Sequence, residues 1–168
     1  ESDIAGIILN KDEDNLDLSC RILKKASDFG VDNLMSVSFL KMLNGDIGMF
    51  YIKKLHGVKS QIILSRSNDG CRTFYDDRIC CPTVFDGYYV LNNNRVMRLS
   101  SNRIIIPLSY HMTSLKDGKE YFDQGGVVYF YYSDDDGLTW NRAKSMLCLP
   151  SQNTRTGLQE PGVIELPN

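Results

Sequence analysis

A chain of 168 residues, 42% hydrophobic and 24% charged, is long enough to bury one sizeable core and too apolar for disorder. Its formal charge of −2 and scattered Lys and Arg leave no basic field for nucleic acid. No apolar run approaches the roughly 20 residues that span a bilayer, which argues against a membrane partner, and no secretory leader is visible, as in a mature or trimmed chain starting at Glu1. Cys20, Cys71, Cys80, Cys81 and Cys148 lack metal-ligand spacing, and nothing calls for a metal or another cofactor. The adjacent Cys80 and Cys81 read as small buried hydrophobes, with a strained vicinal disulfide as the alternative.

In chain order, Ile4–Leu9 and Leu18–Leu23 read as short strands around an acidic turn, Lys11 to Asn15, and Ala26 to Asn33 reads as a loop. Leu34–Leu43, Ile47–Lys53 and Gln61–Ser65 read as a meander turning at Asn44-Gly45 and at Leu55 to Lys59, with Thr73–Asp76 returning outside. Tyr88–Leu91, Arg95–Leu99, Arg103–Tyr110 and Val127–Tyr132 repeat that order, with Thr113 to Gly125 as a loop. Ala143–Leu149 returns outside, Pro150 to Gly157 is a polar connection, and Leu158–Leu166 opens a further unit. No segment of ten or more residues carries a helical period, so the chain reads as all-β.

Between these strands lie two related turns. Ser133-Asp134-Asp135-Asp136-Gly137-Leu138-Thr139-Trp140 fits Ser-x-Asp-x-Gly-x-Thr-Trp, a pattern suited to a hairpin tip. The Asp135 carboxylate can accept turn amides, Gly137 tolerates positive φ, Thr139 caps the returning strand and Trp140 anchors it. A worn copy stands 66 residues earlier: Ser67, Asp69 and Thr73 keep their places, Phe74 replaces Trp140, and Cys71 stands where Gly137 does. Leu40–Gly45, Val96–Ser101 and Val163–Asn168 share a further form, apolar-x-x-Leu followed by a turn. Self-similarity at a fixed period points to repeated units that bury their faces on their neighbours.

The two turns, the Ile104–Pro107 strand and the stretch Gly157-Leu158-Gln159-Glu160-Pro161-Gly162-Val163-Ile164-Glu165-Leu166 make the chain resemble the sialidase or neuraminidase superfamily of BNR/Asp-box β-propellers, its bacterial members most of all. The resemblance covers roughly residues 30–168 and implies an all-β fold, the N-terminal portion of a six-bladed β-propeller. About two and a half blades fit: one at about 30–80, a second at about 85–150 and the start of a third at 157–168. An open stack of blades leaves apolar faces and strand edges uncovered, so self-association is expected.

The resemblance also implies a glycoside hydrolase acting on glycans, with a glycan or small acidic sugar as partner and an extracellular or periplasmic location. A non-catalytic carbohydrate-binding propeller is the alternative. Sialidases use Tyr in place of the usual carboxylate nucleophile, and Glu160 matches the Glu that deprotonates it. A solvated turn Glu before Pro161 is the other reading. Asn93, Asn94 and Arg95, opening an inner strand at a propeller's mouth, are candidate substrate-binding residues, Arg95 equally a loop Arg paired with an Asp. His111, at a strand end, is a candidate acid, base or sugar donor or an ordinary strand-end His. Asp32, Asn33 and His56 are weaker candidates, and Tyr121 reads equally as a sheet residue or a sugar-stacking platform. The sequence departs from the family at two points. Met35-Ser36-Val37-Ser38 has no Arg where one of three carboxylate-gripping arginines is implied, and Leu55-His56-Gly57-Val58-Lys59 has no carboxylate where the acid/base Asp is implied.

Overall fold

The computed structural model describes residues 2–7, 9, 19–82, 85–150 and 154–167. Among them the chain is all-β, one 3₁₀ turn at Ala26–Phe29 excepted, and is arranged as antiparallel sheets, none of them closed. A two-stranded ribbon, β1 (Ile4–Gly6) with β2 (Arg21–Lys24), leads into the first sheet. That sheet is a plain meander of β3 (Asn33–Lys41), β4 (Ile47–Lys54), β5 (Ser60–Ser67) and β6 (Tyr75–Ile79). The acidic turn expected at Lys11 to Asn15 lies outside the described residues.

The second sheet is built around β9 (Ile104–Lys116). β7 (Gly87–Val90) and β8 (Met97–Arg98) pair along one side of it, and β11 (Val127–Ser133) followed by β12 (Asn141–Leu147) along the other. Beyond Met112, β9 pairs only with β10 (Lys119–Phe122).

The run Ile47-Gly48-Met49-Phe50-Tyr51-Ile52 lacks the polar alternation of a half-exposed strand because the first sheet is covered on both faces. Phe50 and Ile52, with Ile62 and Leu64, meet Tyr89, Leu91, Ile104, Ile106, Leu108 and Tyr131 of the second sheet. Met49, Tyr51 and Ile63 on the other face pack with Ile4, Ala26, Val31 and Leu34. Cys80 and Cys81 are free thiols inside the intersheet core, and burial pushes both well above the ordinary thiol range.

Three expected elements take another form. The loop expected at Thr113 to Gly125 is largely a hairpin, with Thr113 opposite Phe122 and Lys116 opposite Lys119. Asp117 and Gly118 at its tip have φ of 52° and 73°, as a two-residue type I′ turn requires. The strand expected at Arg95–Leu99 shrinks to Met97–Arg98 because the residues before it are hydrogen-bonded to β3 instead. Leu158–Leu166 forms no strand; it is tied to the second sheet at its start, where Leu158 N–H donates to Gly126 O (2.9 Å) beside the parallel bridge of Gly157 to Gly126, and near its end, where the Glu165 carboxylate accepts from the Ser100 amide at 2.8 Å and hydroxyl at 2.7 Å.

The two Ser-x-Asp turns close the β5–β6 and β11–β12 hairpins with the same bonds. Ser67 Oγ donates to Asp69 (2.9 Å) and accepts from Cys71 N–H (2.9 Å), while Asp69 accepts from the Thr73 amide (2.9 Å) and hydroxyl (2.6 Å). Ser133, Asp135, Gly137 and Thr139 repeat this at 2.8, 2.7, 2.8 and 2.5 Å. Trp140 meets Phe50 edge-on, ring centres 6.1 Å apart.

Register divides the molecule into two ends. The Ser-x-Asp turns lie at the end shared by Lys41, Ile47 and Ser67, whereas the Leu55–Lys59 turn, the β9–β10 hairpin and Gly126–Gly157 gather at the other. The second end forms the mouth.

Candidate functional site

Between the pairs Val90–Ser109 and Met97–Ile105, β9 advances through Leu108, Pro107 and Ile106 while its neighbour advances through Leu91 to Val96. The surplus residues bulge out as Asn92-Asn93-Asn94-Arg95, with Asn94 at φ 55°. A second bulge faces it: β3 carries one extra residue between Met35 and Ser38, with Ser36 at φ 59°. Bulges of this kind re-aim side chains and are frequent beside active sites.

The two bulges are bonded to each other. Val37 N–H donates to Asn93 Oδ1 (2.9 Å), Asn94 N–H to Val37 O (3.0 Å) and Arg95 N–H to the buried Ser38 hydroxyl (3.0 Å). The exposed Arg95 side chain runs to the segment that follows Glu160, its Nη1 3.6 Å from where a Cβ on Gly162 would stand. Among the described residues its guanidinium has neither a hydrogen bond nor an ion pair, so the pairing with an Asp is not found. Glu160 is exposed, its carboxylate likewise without a bond among the described residues, and its backbone sits at φ 54°. Arg95 and the segment that carries Glu160 thus approach each other at Gly162, two residues past the carboxylate.

The remaining candidates have other surroundings. His111 is only 4% exposed, and its Nδ1 lies 2.8 Å from Asp123 O. A carbonyl can only accept, so Nδ1 carries a proton. Its ring meets Phe122 edge-on and leans on Tyr88. On the same face of β9, the Ser109 hydroxyl donates to Leu158 O (2.5 Å), which ties the connection leading to Glu160 onto this sheet. His111 therefore lies in the wall behind that connection. Asn93 spends its side-chain oxygen on Val37, which makes it a scaffold group.

Sequence reasoning missed one mouth-end carboxylate. Glu120, on the exposed strand β10, reaches back to the β4–β5 turn, where its Oε2 accepts from Val58 N–H (3.3 Å) and lies against Gly57. A Cβ at Gly57 would collide with that carboxylate, so the glycine both supplies φ +73° and clears the seat. Lys59, one residue on, pairs with Asp86 at 2.9 Å, a contact that raises its ammonium above the ordinary value. The turn without a carboxylate of its own thus receives one from the neighbouring sheet. The sequence signal for it was Asp117-Gly118, a dipeptide that favours a type I′ hairpin turn.

No protein-family model and no curated protein matches the chain. Among solved structures, a protein of unknown function from Dyadobacter fermentans DSM 18053 is 18% identical, covering 70% of this chain and 36% of its own, with a TM-score of 0.48. The Hadza microbial sialidase Hz136 is 15% identical, covering 77% of this chain and 30% of its own, with a TM-score of 0.51. The chain is thus similar in fold to part of a sialidase, and it spans about a third of either protein.

Proposed function

We propose that this chain is part of a sialidase-like β-propeller, its two main sheets being successive blades, and that the protein acts as a glycoside hydrolase on acidic glycans outside the cytoplasm. The observation that carries the reading is the approach of Arg95 to Gly162, two residues past Glu160, with both charged groups free of partners among the described residues. A carboxylate-bearing sugar fits such a pair: the planar guanidinium takes its carboxylate through parallel N–H bonds, and Glu160 serves as base toward a nucleophile near the anomeric carbon. A neutral nucleophile suits this substrate, since a third carboxylate there would repel the first.

The alternative, a propeller that binds carbohydrate without cleaving it, is favoured by one observation. Met35 to Ser38 carry no arginine, and the strand uses its bulge to hold the neighbouring sheet. Hydrolysis of a fluorogenic sialoside by the protein, its Glu160→Gln variant and its Arg95→Ala variant tests the two. The catalytic reading expects turnover that falls at least about a hundredfold in Glu160→Gln with the melting temperature retained. Binding of the sialoside without turnover would establish the alternative, and full activity of Glu160→Gln would remove Glu160 from the mechanism.

A further inference from the structure

Arg95 sits at the end of a chain of restraints that begins on the other sheet. Non-glycine residues in the left-handed region are strained and persist only where their surroundings over-determine them. Here Ser36 and Asn94 both adopt it, on facing bulges. The bonds across the seam account for their persistence. Asn93 Oδ1 fixes Val37 N–H, Val37 O fixes Asn94 N–H, and the Ser38 hydroxyl, 1% exposed, fixes Arg95 N–H. The backbone of Arg95 is therefore set by the first sheet, although the residue belongs to the second.

A flexible arginine loses side-chain entropy when it grips an anion, so fixing its backbone beforehand raises affinity without adding a contact. Among the described residues nothing engages the guanidinium, which leaves it free for an anion. We propose that Ser38 and Asn93 are positioning residues for Arg95, which they hold ready for the carboxylate of an acidic sugar. The proposal rests on the reading of the Arg95 region as an acidic-glycan site and adds which residues create its preference for the acid. The first sheet, lacking an arginine of its own at Met35 to Ser38, contributes the seat for one supplied by its neighbour.

The test titrates the chain with N-acetylneuraminic acid and separately with its methyl ester, following amide shifts by NMR. The variants are Ser38→Ala, Asn93→Ala and Arg95→Ala, the exposed Asn93 providing a change that spares the core. The parent should prefer the acid by about tenfold, as expected where a guanidinium bonds a carboxylate. Arg95→Ala should abolish that preference. Ser38→Ala and Asn93→Ala should each cut it severalfold with ester binding unchanged, a ratio that a general loss of stability would not move. Hydrogen exchange at the Arg95 amide should quicken in Ser38→Ala. An acid-to-ester ratio equal to the parent's in both seat variants would overturn the proposal and leave the sugar site standing. If the parent binds neither compound, the acidic-glycan reading fails and the ligand half of the proposal with it; an unchanged Arg95 exchange rate in Ser38→Ala would then overturn the seat as well.

Discussion

Asp135 shows how one side chain decides a turn. Burial opposes its charge, but the Thr139 hydroxyl and amide and the Ser133 hydroxyl donate to the carboxylate and outweigh that, holding it at about 2 against the ordinary 3.8. Asp69 is lowered in the same sense, first by the Thr73 hydroxyl. The sign of the linkage follows. A carboxyl depressed by folding contributes stability that is fully present above its unfolded value near 3.8 and is lost as pH falls through about 2. Asp135→Ala should therefore destabilise the protein at neutral pH by about 1–3 kcal/mol, since the donors it satisfies lose their acceptor. The gap between variant and parent should narrow between pH 4 and 2. Denaturant unfolding across that range checks it, and a gap independent of pH would mean that the carboxylate's charge is not what the turn uses. At the glycine position of the pattern the equivalent turns part: Cys71 is held at φ 64° where Gly137 sits at 87°, a conformation that costs a residue with a Cβ.

At the scale of elements, the β9–β10 hairpin carries the clearest consequence. Four pairs hold it together, and Glu120 fastens it to the first sheet's turn through Val58 N–H. Glu120→Gln replaces a charged acceptor with a neutral one, so the Val58 amide should exchange severalfold faster, in line with the roughly 1 kcal/mol separating charged from neutral hydrogen bonds. Exchange at Val58 unchanged from the parent would show that the hairpin is not fastened there. The strands of both sheets were legible in the sequence because their apolar runs end at strong turn residues, and the Ser-x-Asp turns because their bonds are local. The hairpin was not read, since Leu115, Glu120 and Tyr121 gain no burial by forming it and leave no apolar pattern. Arg95 and Glu160 could be named from the sequence, but the Ser38 seat could not. It depends on two bulges meeting across a sheet interface, and a bulge is an extra residue whose position pattern alone does not fix.

The two sheets are joined by more than their apolar core, and at the scale of the whole molecule that junction decides whether the mouth keeps its shape. At the end opposite the mouth, the Asp136 carboxylate accepts from Leu43 N–H (3.2 Å) and from Arg98 (2.6 Å), and lies 3.5 Å from Arg66 Nη1. Arg66 also donates to the Asp136 carbonyl, and its side chain is 7% exposed. The turn of one sheet is thus clamped by a buried arginine of the other. Removing one partner of a buried pair leaves the second charged and desolvated, at a cost of about 3–5 kcal/mol, whereas replacing both with apolar groups of similar volume is often close to neutral. Asp136→Ala should therefore be severely destabilising, and the double variant Arg66→Met with Asp136→Leu should recover part of the loss, Arg98 and Leu43 N–H still lacking their acceptor. Equilibrium unfolding of the single and double variants measures both quantities. An Asp136→Ala variant within 1 kcal/mol of the parent would place the hold between the sheets in the apolar seam alone. Recovery in the double variant would show that the charges matter chiefly because neither can be left buried without the other.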